Sequence, residues 1–248
     1  MSDSKMLPLL LIERGSLPKC VLLPGDPARA AAIASRLEGS QELAHNREYR
    51  TFVGDHDGIR IGVVSTGVGA SGAAVAFEEA IMAGAGTLIR VGTTGSLQDA
   101  VKTGDLIVAT AAVRNDGVAG QLLPVEFPAA ANLNVSDSLI EAARSRQARF
   151  HCGVVGTVGA FYKGQLDLGL DWMSQAGALS VEMECATLFV IAALRSVRAG
   201  AILAVDGDAR KASGGEYNPH REVVRRAVSL EIDIALEATR LLAKQDES

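Results

Sequence analysis

Short apolar runs broken by glycine and proline alternate along this chain with stretches of helical spacing. Val21-Leu22-Leu23 predicts a buried strand closed by Pro24-Gly25-Asp26-Pro27, with a helix from Pro27 to Leu37. Ile59 to Ser65 predicts a second strand, the turn Gly67-Val68-Gly69-Ala70-Ser71-Gly72 follows, and Ala73 to Met82 has helical spacing. Thr87 to Val91 predicts a strand ending in Gly92-Thr93-Thr94-Gly95, and Leu106 to Val113 another. Residues 115–134, rich in Gly, Pro and Asn, read as a long functional loop. Ser136–Arg146 and Thr187–Arg195 then read as helices, and Cys152–Val155, Ala178–Val181 and Ala199–Val205 as strands. A long amphipathic helix over Pro219–Ala243 closes the pattern. This alternation predicts an α/β fold. One domain over residues 1–248 carries a mixed, mainly parallel central sheet flanked by helices. Ligands in such sheets lie beyond the carboxyl ends of the strands, where the glycine turns fall here.

Composition narrows the function. The chain has 248 residues, 48% apolar, enough for a sizeable core. The net charge is −5 and no Lys/Arg block occurs, which argues against a nucleic-acid partner. The three cysteines, Cys20, Cys152 and Cys185, match no zinc spacing and read as small buried apolar residues in a reducing compartment. The apolar run Leu7–Ile12 is too short to span a bilayer, so a cytoplasmic protein without membrane contact is expected.

Three segments carry candidate chemistry. In Pro24-Gly25-Asp26-Pro27-Ala28-Arg29, the glycine lets an anion approach the backbone. A cation on a first helical turn opposes the helix dipole, so Arg29 makes more sense beside a bound anion than as a solvated side chain. Arg90 lies inside the apolar strand Leu88-Ile89-Arg90-Val91, and a buried guanidinium needs a partner: a carboxylate, or a ligand phosphate held in bidentate fashion. Glu182 and Glu184 flank Met183 where a strand gives way to a helix. On extended backbone both point the same way and can take up vicinal hydroxyls; otherwise they are solvated or capping carboxylates. Gly67, Gly69 and Gly72 also form a GxGxxG, which keeps an NADP-dependent oxidoreductase as a rival. Its place in the second βα unit, and the work it leaves undone by the other segments, count against it.

The motifs PGDPxR at Pro24–Arg29, RVGTTG at Arg90–Gly95 and VEMECATL at Val181–Leu188 together resemble the nucleoside phosphorylase family, which includes uridine phosphorylase and the hexameric purine nucleoside phosphorylases. Val113–Gly117, Pro124–Pro128 and Phe161–Gln165 look most like the uridine branch. The resemblance implies phosphorolysis of a nucleoside, uridine or related, to free base and ribose 1-phosphate, with inorganic phosphate as co-substrate and no cofactor or metal. It implies a phosphate site at Gly25, Arg29, Arg90 and Thr93, with Arg47 reaching in from a neighbouring subunit. It implies a ribose site at Thr94, Glu182, Met183 and Glu184, and a base site at Gly95, Phe161 and Gln165. Arg90 and Glu184 are then the catalytic groups, in a dimer-based homo-oligomer that is often a hexamer.

The chain departs from that pattern in three places. Asp167 stands where uridine phosphorylases carry a base-binding arginine, and Arg210 is a candidate replacement. Asp206-Gly207-Asp208 places a glycine where the purine branch has its acid, while a small shift makes Asp208 a candidate acid. Leu7 and Pro8 occupy the region of an expected N-terminal histidine. A purine or 5′-modified nucleoside therefore remains an alternative substrate.

Overall fold

The computed structural model describes residues 5–211, 218 and 220–247. The first strand, β1 (Cys20–Leu23), leads into α1 (Pro27–Ala34), whose N-terminus is capped by the Asp26 side chain accepting from the Ala28 amide at 2.8 Å. β2 (Glu38–Asn46), β3 (Tyr49–His56) and β4 (Ile59–Val64) form an antiparallel meander, followed by α2 (Ala70–Met82), β5 (Thr87–Ser96) and β6 (Leu106–Asn115). α3 (Ala119–Leu122), β7 (Ala129–Ala130), α4 (Leu133–Ser145), β8 (Phe150–Val158) and α5 (Leu170–Gln175) come next. β9 (Ser180–Glu182), α6 (Cys185–Leu194), β10 (Arg198–Asp208) and α7 (Glu222–Glu247) complete the order.

The strands form one sheet in the order β10-β6-β8-β9-β5-β1-β4-β3-β2, and β10 also pairs with β5. That extra pairing closes β5, β10, β6, β8 and β9 into a ring, from which β1, β4, β3 and β2 extend. The long ladders β5–β10 and β6–β8 are parallel. One apolar cluster packs α2 and α6 on one face, and a second packs α1, α4 and α7 on the other. Both faces are covered, so the central strands read as continuous apolar runs.

β5 changes neighbours along one edge. β1 pairs with it from Thr87 to Arg90, and β9 pairs with it only from Gly95. Residues 91–94 lie between the two partners, which opens a crevice at the carboxyl end of β1. This is the topological switch point where open α/β sheets bind ligands.

The structure corrects several expectations. β5 continues past Val91 to Ser96 because β9 and β10 carry its pairing onward. The β2–β3 hairpin has no counterpart in the sequence reading, since β2 is mostly exposed and shows no apolar alternation. Residues 115–134 are not one loop: they hold α3, β7 and the start of α4. Arg114 organises them by donating to the carbonyls of Pro124, Phe127, Ala119 and Leu123. The start of the C-terminal helix at Pro219 lies outside the described residues; α7 runs from Glu222. Of the cysteines only Cys185 is buried, while Cys20 is half-buried and Cys152 exposed. No helix among the described residues is long and apolar enough to cross a membrane.

Candidate active site

Arg90 is the last β5 residue paired with β1, and its side chain is 6% exposed. Its Nε donates to Glu182 Oε2 at 3.0 Å, and its Nη2 lies 2.5 Å from Glu184 Oε2. Burial opposes the guanidinium charge, but the carboxylates of Glu184 and Glu182 outweigh it and hold the Arg90 pKa above its ordinary value. Gly92 makes room for this side chain. A Cβ there would lie 2.8 Å from Arg90 Cζ. The partner of the buried guanidinium is thus a pair of carboxylates. Two contacts leave further N–H donors of the five on the group for an anion.

The two glutamates differ. Glu182 ends β9 and has no exposed side-chain surface. It accepts from Thr157 Oγ1 at 2.6 Å and from the amides of Glu184 and Cys185 at 2.8 and 3.0 Å, besides Arg90. It therefore serves as the clamp of the β9–α6 turn. Glu184 stands at the N-terminus of α6 and also accepts from the Gly69 amide. Burial pushes its carboxyl up, Arg90 pulls it down, and Glu182 pushes it up again, leaving it above the ordinary carboxylate range. Met183, half-buried between them, faces the same turn: a Cβ on Gly69 would lie 4.0 Å from its Cε.

The Gly69 amide is the kind of donor a pyrophosphate would need, and Glu184 already occupies it. A Cβ on Gly67 would meet Glu48 Cγ at 2.7 Å, so that glycine serves contact with the β2–β3 hairpin. The dinucleotide reading of the GxGxxG loses its physical basis. Gly25 is likewise held against this turn, with the Gly67 amide donating to Gly25 O at 3.0 Å.

On the other side of the crevice, half-buried Arg29 donates from Nη1 to the Val91 carbonyl at 3.2 Å. A cleft of about 290 Å³ opens beside Arg29 and Thr93, walled by Val224, Arg225, Val228 and Ile232 of α7. Thr94 is buried and donates to Val181 O at 2.8 Å. At Gly95 a Cβ would meet Ala209 Cβ at 2.8 Å, so β5 and the end of β10 touch there. Another cavity, of about 360 Å³, lies between Arg114, Phe127 and Trp172 and contains none of the expected site residues.

The remaining expected residues stand outside this cluster. Arg47 is exposed at the β2–β3 hairpin tip, with φ of 54°. Phe161, Gln165 and Asp167 are exposed, and the Phe161 ring packs edge-on against Tyr162 at 5.1 Å between centroids. Arg210 pairs with Asp99 at 2.7 Å and Asp208 at 3.0 Å. That bond to Arg210 holds the Asp208 carboxyl below its usual range, so Asp208 stays ionised and does not suit the acid role. Thr157 and Gly92 are positioning residues that sequence reasoning missed. A lone hydroxyl near the end of β8 carries no pattern of its own, and Gly92, read from the sequence as part of a turn, lies inside β5.

A family model described as the phosphorylase superfamily matches residues 19–240. The uridine phosphorylase of Thermococcus kodakarensis is 39% identical over 245 residues, covering 94% of this chain and 85% of that protein. The guanosine phosphorylase of Halorubrum lacusprofundi is 37% identical, covering 81% of this chain and 83% of that protein. Among solved structures, the purine nucleoside phosphorylase of Toxoplasma gondii superposes with a TM-score of 0.93 at 32% identity, covering 99% of each chain. A crevice at a sheet switch point, a buried arginine between two carboxylates and this breadth of likeness agree: the chain belongs to the phosphorylase superfamily.

Proposed function

We propose that this chain catalyses phosphorolysis of a nucleoside, uridine or a close relative, to free base and ribose 1-phosphate. The observation that carries the reading is the Arg90 guanidinium, buried between Glu182 and Glu184 at the split edge of β5. In this reading Gly25, Arg29, Arg90 and Thr93 hold the phosphate, and Arg47 is lent by a second copy of the chain. Thr94, Met183 and Glu184 face the ribose, while Glu182 fixes Arg90 and the turn beneath it. Gly95, Phe161 and Gln165 receive the base, with Asp167 and Arg210 bearing on its identity. Inorganic phosphate is the co-substrate, and no cofactor enters. The active form is a dimer-based homo-oligomer, up to a hexamer, in the cytoplasm.

The chemistry follows from charge. As the bond from C1′ to the base nitrogen stretches, positive charge grows on the sugar. A phosphate dianion held in line beneath C1′ and the Glu184 carboxylate both stabilise that charge more than they stabilise the neutral substrate. The base leaves with the bonding electrons and takes its proton from solvent or a base-site donor. Asp208 is not the donor proposed, because its pairing with Arg210 keeps it ionised.

Incubation with uridine in the presence and absence of phosphate tests this reading. Cleavage that requires phosphate and yields ribose 1-phosphate supports it; cleavage at equal rates without phosphate contradicts it. A purine nucleoside is the second reading, favoured by Asp167, an acceptor where the uridine branch has a donor. Parallel turnover of inosine and adenosine separates the two.

A further inference from the structure

Glu231 lies within α7 and is fully buried. Neither of its carboxyl oxygens has a hydrogen-bond partner among the described residues. Its helical neighbours at three and four residues, Ala227, Val228, Ile234 and Ala235, are apolar. Val224, Val228 and Ile232 of the same helix wall the cleft beside Arg29 and Thr93. An acidic side chain without partners therefore lies in the helix that backs the proposed phosphate site. The charged groups acting on it are Arg29 of α1, Arg90 of β5 and Asp206 of β10. Burial pushes the Glu231 carboxyl up to about 8, Arg29 and Arg90 pull against that rise along with the nearby Ala204 amide, which falls short of hydrogen-bond geometry, and Asp206 adds to it.

We propose that Glu231 is a positioning residue of the phosphate site: carrying a proton, it leaves Arg29 and Arg90 to the bound anion, and once ionised it competes with the anion for them. The identity of the anion rests on the proposed function. An ionised carboxylate behind the two guanidiniums neutralises the field that attracts phosphate. Bound dianion in turn favours the neutral carboxyl, so binding in alkaline solution draws one proton from solvent onto Glu231.

Calorimetric titration of the full chain with inorganic phosphate tests this, run from about pH 7 to about pH 9 in buffers of different ionisation enthalpy. The expected result is proton uptake rising toward one per site and a Kd that weakens severalfold toward the alkaline end of that window. The arginines stay charged throughout, and phosphate, which completes its second ionisation near the lower end of the range, releases protons and tightens as pH rises, the opposite of the effect expected from Glu231. E231Q, which keeps the shape of the neutral acid, should show no weakening of phosphate binding toward about pH 9 and no uptake. E231M, an apolar replacement of similar length, should do the same and serves if the amide variant does not fold. Phosphate binding with constant Kd and no uptake in the unaltered protein would overturn the inference and leave the proposed function intact. So would E231Q or E231M that keeps the pH dependence. Failure of the unaltered protein to bind phosphate at any pH would overturn both.

Discussion

Arg90 owes its place to three residues around it. Gly92 yields the space, Glu182 takes the Nε, and Thr157 fixes Glu182. Gly92→Ala should therefore displace the guanidinium while leaving the strand intact. A displacement of about 1 Å at a positioned group can cost roughly a hundredfold, and kcat/KM for phosphorolysis should fall by that order. Steady-state kinetics beside an unchanged circular dichroism spectrum checks this. Asp208→Asn should lower kcat less than about threefold, because its pairing with Arg210 is partly exposed and worth little. Loss of a true general acid would cost at least about a hundredfold. At this scale the sequence was informative about identity and less so about geometry. A lone arginine in an apolar strand must have a partner, and the sequence held the candidates, but only the fold shows that both glutamates turn onto it. The exposed residues Phe161, Gln165 and Asp167 could be named from their motif, yet nothing within one chain gathers them around a ligand.

At the scale of elements, the site exists because β5 outlasts β1. Had β1 paired with β5 beyond Arg90, no crevice would open at residues 91–94. The run Arg90–Gly95 was legible as a strand end, whereas the handover to β9 depends on long-range pairing that local pattern does not encode. β2 was illegible for another reason: at the sheet edge, with most of its side chains exposed and none fully buried, it has no buried face to impose alternation. α7 was legible as an amphipathic helix, and its one discordant residue, Glu231, makes a prediction about stability. The carboxyl stays protonated up to about 8 in the folded chain, against an ordinary value of 4.5. Between those values the unfolded chain binds fewer protons there than the folded one, so stability falls as pH rises. The slope from this group is about 1.4 kcal/mol per pH unit. E231Q should flatten it, with a gain in Tm over the unaltered protein that is larger at about pH 8.5 than at about pH 5. Thermal melts across that range decide it.

At the scale of the whole molecule, the proposed loan of Arg47, which is exposed in the single chain, to a second copy has a direct test. Arg47→Ala and Glu184→Gln should each be nearly inactive alone. Mixed after dissociation and reassembly, they should recover about a quarter of full activity, since half the random dimers are mixed and each of those has one intact site. No recovery in a verified mixed oligomer would place Arg47 outside the neighbour's site. The ring of β5, β10, β6, β8 and β9 fixes Arg90, Thr94 and Glu182 to one rigid frame, while Arg29 and Glu231 come from helices packed on its other face. The most direct test of the account is the rate of nucleoside cleavage as a function of inorganic phosphate. Saturable dependence, no turnover without phosphate, and ribose 1-phosphate in equal amount to free base are the expected results. Free ribose released at a rate indifferent to phosphate would contradict it.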